Sequence, residues 1–324
     1  MDRIVRGTQV NDAIVIEDIH KSFGEKQAVE ALDLVVPRGS LHGFIGPNGA
    51  GKTTTIRMIM SIIFPDRGEL RVLGRPSAIE SKDKIGYLPE ERGVYKKMKV
   101  LAFLKYMARL KGVPANELHK RASQWLERVE LGDVAGKKCE ELSKGMQQKI
   151  QFIAAVIHEP ELLILDEPFS GLDPVNMRLL RDLIQELNSG GTTIIFSTHV
   201  MAQAEQLCDN IVMINNGRKV LDDPLETIRN RFDPNVIVFE PADGEVSTAQ
   251  ITTLGCVCEA NKSDDLWELT LVDGCKPSQA IAEITSNFQT NRIAIKKPSL
   301  EDIFIKIVEA DESASISQPA GVTA

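Results

Sequence analysis

The 324-residue chain has no apolar run long enough to cross a bilayer. Its most apolar stretch, Ile56 to Phe64, contains Arg57 and falls well short of the ~20 residues that a helical span needs. The N-terminus, MDRIVRGTQVND, lacks the apolar core of a secretion signal, so the chain is expected to stay in the cytoplasm. A basic excess is lacking as well. With 38 Lys and Arg against 46 Asp and Glu, the formal net charge is -8, the wrong sign for a general nucleic-acid binder. Five cysteines (139, 208, 256, 258 and 275) include no CxxC pair, so reduced and mostly packed thiols are expected. Cys256 and Cys258 lie close in sequence, but two ligands do not make a metal site. Internal repeats and coiled-coil heptads are missing too.

Hydrophobic residues make up 43% and charged residues 26% of the chain, which is enough apolar material for a sizeable core. The length exceeds one ordinary domain and suggests a large domain followed by a smaller one. Through about residue 232, strand and helix patterns alternate between glycine-rich turns, the texture of an α/β domain. AIVIED (13–18), LHGFIG (41–46), LLILD (162–166) and TTIIFS (192–197) read as strands buried on both faces. A helical insertion, placed at about 88–160, interrupts them. Within it Leu118, Ala122, Trp125 and Val129 mark one helix face, and Val113-Pro114 separates that helix from an earlier one. Residues 233–310 read as a small α+β domain. NVIVFEP, LWELTLV and RIAIKK are its strands, PSQAIAEITSNF is a helix, and Ser299 with Asp302 gives a cap signal for a second. The small polar residues of 311–324 predict a disordered tail.

Gly46-Pro47-Asn48-Gly49-Ala50-Gly51-Lys52-Thr53 matches the phosphate-loop pattern GxxxxGK[ST], between an apolar strand and a helix. Glycines let backbone N–H groups curl round phosphate oxygens, and the helix presents its positive end. Gly46, Asn48, Gly49, Ala50, Gly51, Lys52, Thr53 and Thr54 are therefore expected to hold the nucleotide. Lys52 would face the β/γ-phosphates, and Thr53 would offer its hydroxyl to Mg²⁺. Asp166 and Glu167 close the strand LLILD, where ligand chemistry sits in an open α/β sheet. Asp166 is expected at Mg²⁺ and Glu167 at the attacking water.

Further motifs follow in order: Leu142-Ser143-Lys144-Gly145-Met146-Gln147-Gln148, then Gly171-Leu172-Asp173-Pro174, then His199 in FSTHV. With the phosphate loop they resemble an ATP-binding-cassette (ABC) ATPase, the motor subunit of ABC transporters, over residues 13–232. The resemblance implies an α/β P-loop core with an antiparallel β subdomain and a helical subdomain. It also implies catalytic roles for Glu167, His199 and Lys52, with ATP and Mg²⁺ as cofactors. Ser143 and Gly145 would receive the γ-phosphate of ATP held by a second copy, and Asp173 would contact that copy. Read without the resemblance, Ser143 is also a well-placed cap for a core helix. Phe23 matches the aromatic that stacks on adenine, and Val29 is expected to add a side contact to the base; a lone Phe is otherwise usually core.

Two departures stand out. LSKGM replaces the family's LSGGQ, and Glu90, in Tyr87-Leu88-Pro89-Glu90-Glu91-Arg92-Gly93, stands where the family has glutamine. GYLPEERGVYKKMKV together with PSLEDIFIKIV is similar to the sodium-extrusion (NatA-type) branch, which pairs with a multi-span permease of the ABC-2 export class. The resemblance thus implies an ATPase subunit held at the cytoplasmic face of the membrane by its permease, with Glu90 at Mg²⁺. The rival is a soluble ABC ATPase acting on nucleic acid or ribosomes, which the single phosphate loop, the lack of heptads and the acidic balance oppose.

Overall fold

The computed structural model describes residues 11–91, 93–232, 235–242, 246–263 and 266–316. Three short strands, β3 (Leu41–Ile45), β6 (Leu162–Asp166) and β7 (Thr193–Thr198), are buried along their whole length, as their apolar runs require. They form the centre of a six-stranded sheet with β5 (Ile85–Leu88), β8 (Asn210–Asn215) and β9 (Arg218–Pro224), in the order β5-β6-β7-β3-β8-β9. All pairings are parallel except β8 with β9. The C-terminal ends of β3, β6 and β7 therefore lie side by side on one edge, which is where an open α/β sheet builds its ligand site.

β1 (Asp12–Phe23), which contains AIVIED, joins a different sheet. It pairs antiparallel with β2 (Lys26–Pro37) and β4 (Arg67–Val72) in the order β2-β1-β4. Its burial is broken by exposed positions, so it is not a strand covered on both faces as its composition suggests. α1 (Lys52–Ile59) packs its Ile56, Met58 and Ile59 into the same apolar cluster as Ile14, Ile16 and Val36.

The helical insertion consists of α2 (Val100–Leu110), α3 (Leu118–Arg128) and α4 (Lys144–Val156). Leu118, Ala122, Trp125 and Val129 are all buried on one face. α4 is buried beyond its apolar stripe, because Gln148, Lys149 and Gln151 are enclosed too. Lys149 satisfies its ammonium by donating to the Val129 carbonyl at 2.8 Å, and burial depresses its pKa. α5 (Pro174–Ser189) and α6 (Met201–Leu207) flank the last parallel strands.

The chain divides into two compact units after Leu225, ahead of the expected boundary at 232. Pro224 ends β9 and α7 (Leu225–Arg231) follows without a linker, so the composition shift read at 232 marks the end of a helix. The second unit has a four-stranded antiparallel sheet of β10 (Val236–Pro241), β11 (Val257–Ser263), β12 (Leu266–Leu271) and β13 (Thr290–Ile295), in the order β11-β12-β10-β13. Trp267, Leu269 and Leu271 face its core with Ile237, Phe239 and Ile284. The short α8 (Thr248–Ile251) and α9 (Pro277–Asn287) complete it, with α10 (Leu300–Ile316). Ser299 and Asp302 form the expected reciprocal cap of α10, through bonds of 3.1 Å each way. The described part of α10 runs to Ile316, past the expected tail start at 311. Residues 317–324, Arg92 and the first ten residues lie outside the described ones. All five cysteines are free thiols.

Candidate functional site

The loop after β3 owes its path to glycine. Gly46 and Gly51 have φ of 149° and 110°, and a Cβ would lie 2.1 Å from the Ile214 carbonyl oxygen at the first and 2.5 Å from that of Ala28 at the second. No other residue fits either position. Gly51 is the N-cap of α1 and brings no side-chain cap, so the donors of the first turn keep their capacity for a ligand. Lys52 folds back over the loop. Its ammonium donates to the Gly46 and Pro47 carbonyls at 2.7 and 3.0 Å. Burial lowers its pKa, while the charges of Glu167, Asp166 and Glu90 oppose that shift.

A hollow of about 380 Å³ opens on this loop. Phe23, Asn48, Gly49, Gly51, Lys52, Thr53, Thr54, Glu90, Asp166 and Glu167 line it, so these ten expected residues meet in one place. The phenyl ring of Phe23 is 53% exposed, free for a face contact, with the Lys21 ammonium 5.6 Å from its centroid. Lys26 and Ala28 also line the hollow, while Val29 is fully buried in the core. The expected contact of Val29 with a base is therefore corrected. Neighbouring residues of a strand point to opposite faces, and on β2 the core takes Val29 and leaves Ala28 to the hollow.

Asp166 is 1% exposed, and neither carboxylate oxygen closes a hydrogen bond. Burial raises its pKa, Glu90 and Glu167 raise it further, and the Ser197 and Thr53 hydroxyls act in the opposite sense. A buried carboxylate without partners and with two acidic neighbours calls for a cation. Among the described residues no three His, Cys, Asp or Glu gather as a ready metal cluster. The buried Asp166 beside the phosphate loop suits Mg²⁺, which takes one or two carboxylates and fills its octahedron with phosphate oxygens and water.

Glu167 adopts a left-handed backbone, φ 50°, and its N–H donates to the Ser197 carbonyl at 3.0 Å. A non-glycine residue in this region stores strain and is held there by its surroundings. Its Oε1 accepts from the His199 backbone N–H at 2.8 Å and from Nδ1 at 2.6 Å. A carboxylate only accepts, so Nδ1 carries the proton. The Thr198 hydroxyl lies 3.2 Å from Oε2 and 3.0 Å from Gln203 Oε1. Direct pairing of Glu167 with His199, and the part of Thr198, are not legible in the motifs; adjacency of β6 and β7 creates both. The run Ser197-Thr198-His199 at a strand end was the available signal.

Ser143, Gly145 and Asp173 are not among the residues lining this hollow. Ser143 caps α4 by accepting from the Met146 N–H at 3.2 Å. Gly145 lies against the 171–173 turn, since a Cβ there would be 3.4 Å from a Leu172 methyl and 3.5 Å from the Gly171 carbonyl. Asp173 caps α5 through the Val175 and Asn176 N–H groups at 3.0 and 2.9 Å, and these bonds with that from the Asn176 amide hold its pKa down. The Gln148 amide donates to the Pro168 carbonyl at 2.9 Å, which ties α4 to the segment following Glu167.

Two family models match the chain: that of the ABC transporter over residues 29–170, and that of the C-terminal domain of DrrA1-3-like ATP-binding proteins over residues 224–308. The ABC transporter ATP-binding protein YhaQ of Bacillus subtilis is 41% identical, over 92% of this chain and 99% of its own. The Nod factor export ATP-binding protein I of Ralstonia nicotianae is 31% identical, over 90% and 92%. The solved structure of an ABC transporter's ATP-binding subunit matches with a TM-score of 0.63 at 32% identity, over 68% of this chain and 93% of that one.

Proposed function

Because the chain belongs to the ATP-binding subunits of ABC transporters, with a DrrA-like C-terminal domain, we propose that it hydrolyses ATP to ADP and phosphate and thereby powers export through a separate ABC-2 type permease. The observation that carries the hydrolytic part is the Glu167–His199 pair beside a phosphate loop and an unpartnered buried Asp166.

The loop N–H groups and the first turn of α1 take the phosphate oxygens, and Lys52 turns from its carbonyls to the β/γ-phosphates. Phe23 offers its face to the adenine. Glu167 is fixed by the two His199 donors and orients and deprotonates the attacking water. His199, 47% exposed and donating through Nδ1, leaves Nε2 free, and that nitrogen would meet the γ-phosphate as a donor in the imidazolium form, where both ring nitrogens carry a proton. Thr53, Asp166 and Glu90 would hold Mg²⁺, whose charge would offset that of the β/γ-phosphates. Ser143 and Gly145 would complete the site of a second copy, with Asp173 at the contact between copies. In this reading the helical insertion and the loop at Glu90 form the docking surface for the permease, which holds the subunit at the cytoplasmic face of the membrane. The C-terminal unit either regulates or stabilises the dimer or is an inert appendage to the ATP-binding unit.

Sodium as cargo is the finer reading, and it rests on the 86–100 run and on 298–308. A relative named for Nod factor export supports export without supporting sodium. A nucleic-acid or ribosomal role is not favoured, since the relatives are named as transporter subunits and the chain is acidic. Purification from membranes in mild detergent tests the partner. A multi-span protein should accompany the chain; recovery with RNA or ribosomes and no membrane protein would overturn the reading.

A further inference from the structure

The two carboxylate oxygens of Glu167 are not equivalent. Oε1 accepts from the His199 backbone N–H and from Nδ1, at 2.8 and 2.6 Å, so both its lone pairs are engaged. Oε2 has a single hydrogen-bonding neighbour among the described residues, the Thr198 hydroxyl at 3.2 Å. A proton taken from the attacking water therefore has to settle on Oε2, and the Thr198 hydroxyl decides how open that oxygen is.

Thr198 ends β7 and is fully buried, so the partners of its hydroxyl are fixed by the protein. A hydroxyl has one proton and two lone pairs. The Val200 N–H donates to Oγ1 at 3.1 Å and takes one lone pair. The proton has two claimants, Glu167 Oε2 at 3.2 Å and Gln203 Oε1 at 3.0 Å, and cannot serve both. Gln203 is half-buried in α6, and its own N–H donates to the Val200 carbonyl at 3.0 Å. Residues 198, 200 and 203 thus interlock, and the amide oxygen is held against the hydroxyl at the shorter of the two distances.

We propose that Gln203 is a positioning residue for hydrolysis: by accepting the Thr198 proton it keeps Glu167 Oε2 open to the proton of the attacking water. The proposal rests on the reading of Glu167 as the base. As water attacks, its O–H bond breaks, the proton joins Oε2, and the electron pair left on oxygen forms the new bond to phosphorus. The bond from phosphorus to ADP breaks, and its pair leaves with ADP. The new O–H of Glu167 then donates to the second lone pair of Thr198 Oγ1, which is free because the Thr198 proton stays on Gln203. With the proton turned the other way, Oε2 is hydrogen-bonded as a carboxylate beforehand, and the acid form has no acceptor there.

Steady-state phosphate release by the full chain tests this. Gln203→Met keeps the length of the side chain and suits a helix, but removes the amide acceptor. Its kcat should fall about tenfold, the scale of one hydrogen bond to a charged group turned onto the base. KM and the calorimetric affinity for ATP should stay within about twofold of the parent, since the change touches only the chemical step. Gln203→Leu should lose as much as Gln203→Met, while Gln203→Glu, which keeps an acceptor, should hold kcat within about threefold. In a Thr198→Val background, Gln203→Met should alter kcat by less than about twofold, because Gln203 acts only through the hydroxyl. Melts identify any variant that fails to fold, and the other apolar variant is then read in its place. A parent-like kcat in the apolar variants, an equal loss in Gln203→Glu, or a full further loss on top of Thr198→Val overturns the proposal. So does a loss that falls on ATP affinity instead of kcat. Hydrolysis that Glu167→Gln leaves intact defeats the reading of the base; hydrolysis that Glu167→Gln stops but the Gln203 variants do not change defeats this proposal alone.

Discussion

Replacing Glu167 by glutamine separates chemistry from architecture in this site. Two His199 donors meet Oε1, at 2.8 and 2.6 Å, so the oxygen of the new amide must occupy that position. The amide nitrogen then takes the place of Oε2, 3.2 Å from the Thr198 hydroxyl. That hydroxyl can accept from it while donating to Gln203 Oε1 at 3.0 Å. Every contact survives, and stability should change by no more than about 0.5 kcal/mol. What disappears is the basic oxygen. Loss of a positioned general base lowers turnover by ~10²–10⁴-fold, equal to about 3–5 kcal/mol of barrier at ~1.4 kcal/mol per decade. Steady-state phosphate release measures the loss, calorimetry should show ATP still binding, and a melt should show the parent transition. Hydrolysis within about threefold of the parent would refute Glu167 as the base. Lost ATP binding with a normal melt would refute the argument that the amide fits.

Three further outcomes follow from the same geometry. Ser143→Arg removes the cap of α4, costing about 1 kcal/mol, and fills the seat for the partner's γ-phosphate. In the Glu167→Gln background it should abolish the ATP-dependent dimer seen by sedimentation while sparing monomer ATP binding; a normal dimer contradicts the composite site. Asp166→Asn removes a buried unpartnered charge. Because folding raises the Asp166 pKa, destabilisation sets in as pH rises through the ordinary carboxylate range and is complete above the folded value. Without Mg-ATP the variant should therefore melt a few degrees higher at neutral pH, about 1–3 kcal/mol, with the gap closing in acid; equal melting at neutral pH contradicts this. Glu90→Gln should weaken the Mg²⁺ dependence of hydrolysis only modestly but change stimulation by the permease, and identical curves in every condition would leave Glu90 a solvated acid.

The parts of the site legible in the sequence are those where chemistry dictates residue types at short spacing. The phosphate loop is fixed by glycines with no steric alternative, and the carboxylates by their place at the end of LLILD. Strands β3, β6 and β7 were equally plain, since a short run that is apolar throughout can only be buried. Partners were harder to read. AIVIED gives no sign that β1 belongs to the antiparallel sheet, because an apolar run does not name its neighbour. β11 reads VCEANKS, mostly exposed and without alternation, and becomes a strand only by pairing with β12. The Glu167–His199 bond joins residues 32 apart and exists because β6 and β7 end together. Val29 and Ala28 differ by one step along a strand, and composition alone does not say which faces the hollow.

The central claim is that this chain converts ATP hydrolysis into work on a membrane partner. Phosphate release from Mg-ATP should be measured for the chain reconstituted with its permease in liposomes, with Lys52→Ala and Glu167→Gln as controls. The account predicts hydrolysis that the permease stimulates and that both substitutions suppress. Hydrolysis by the parent no faster than by the two variants, with or without the permease, would contradict it.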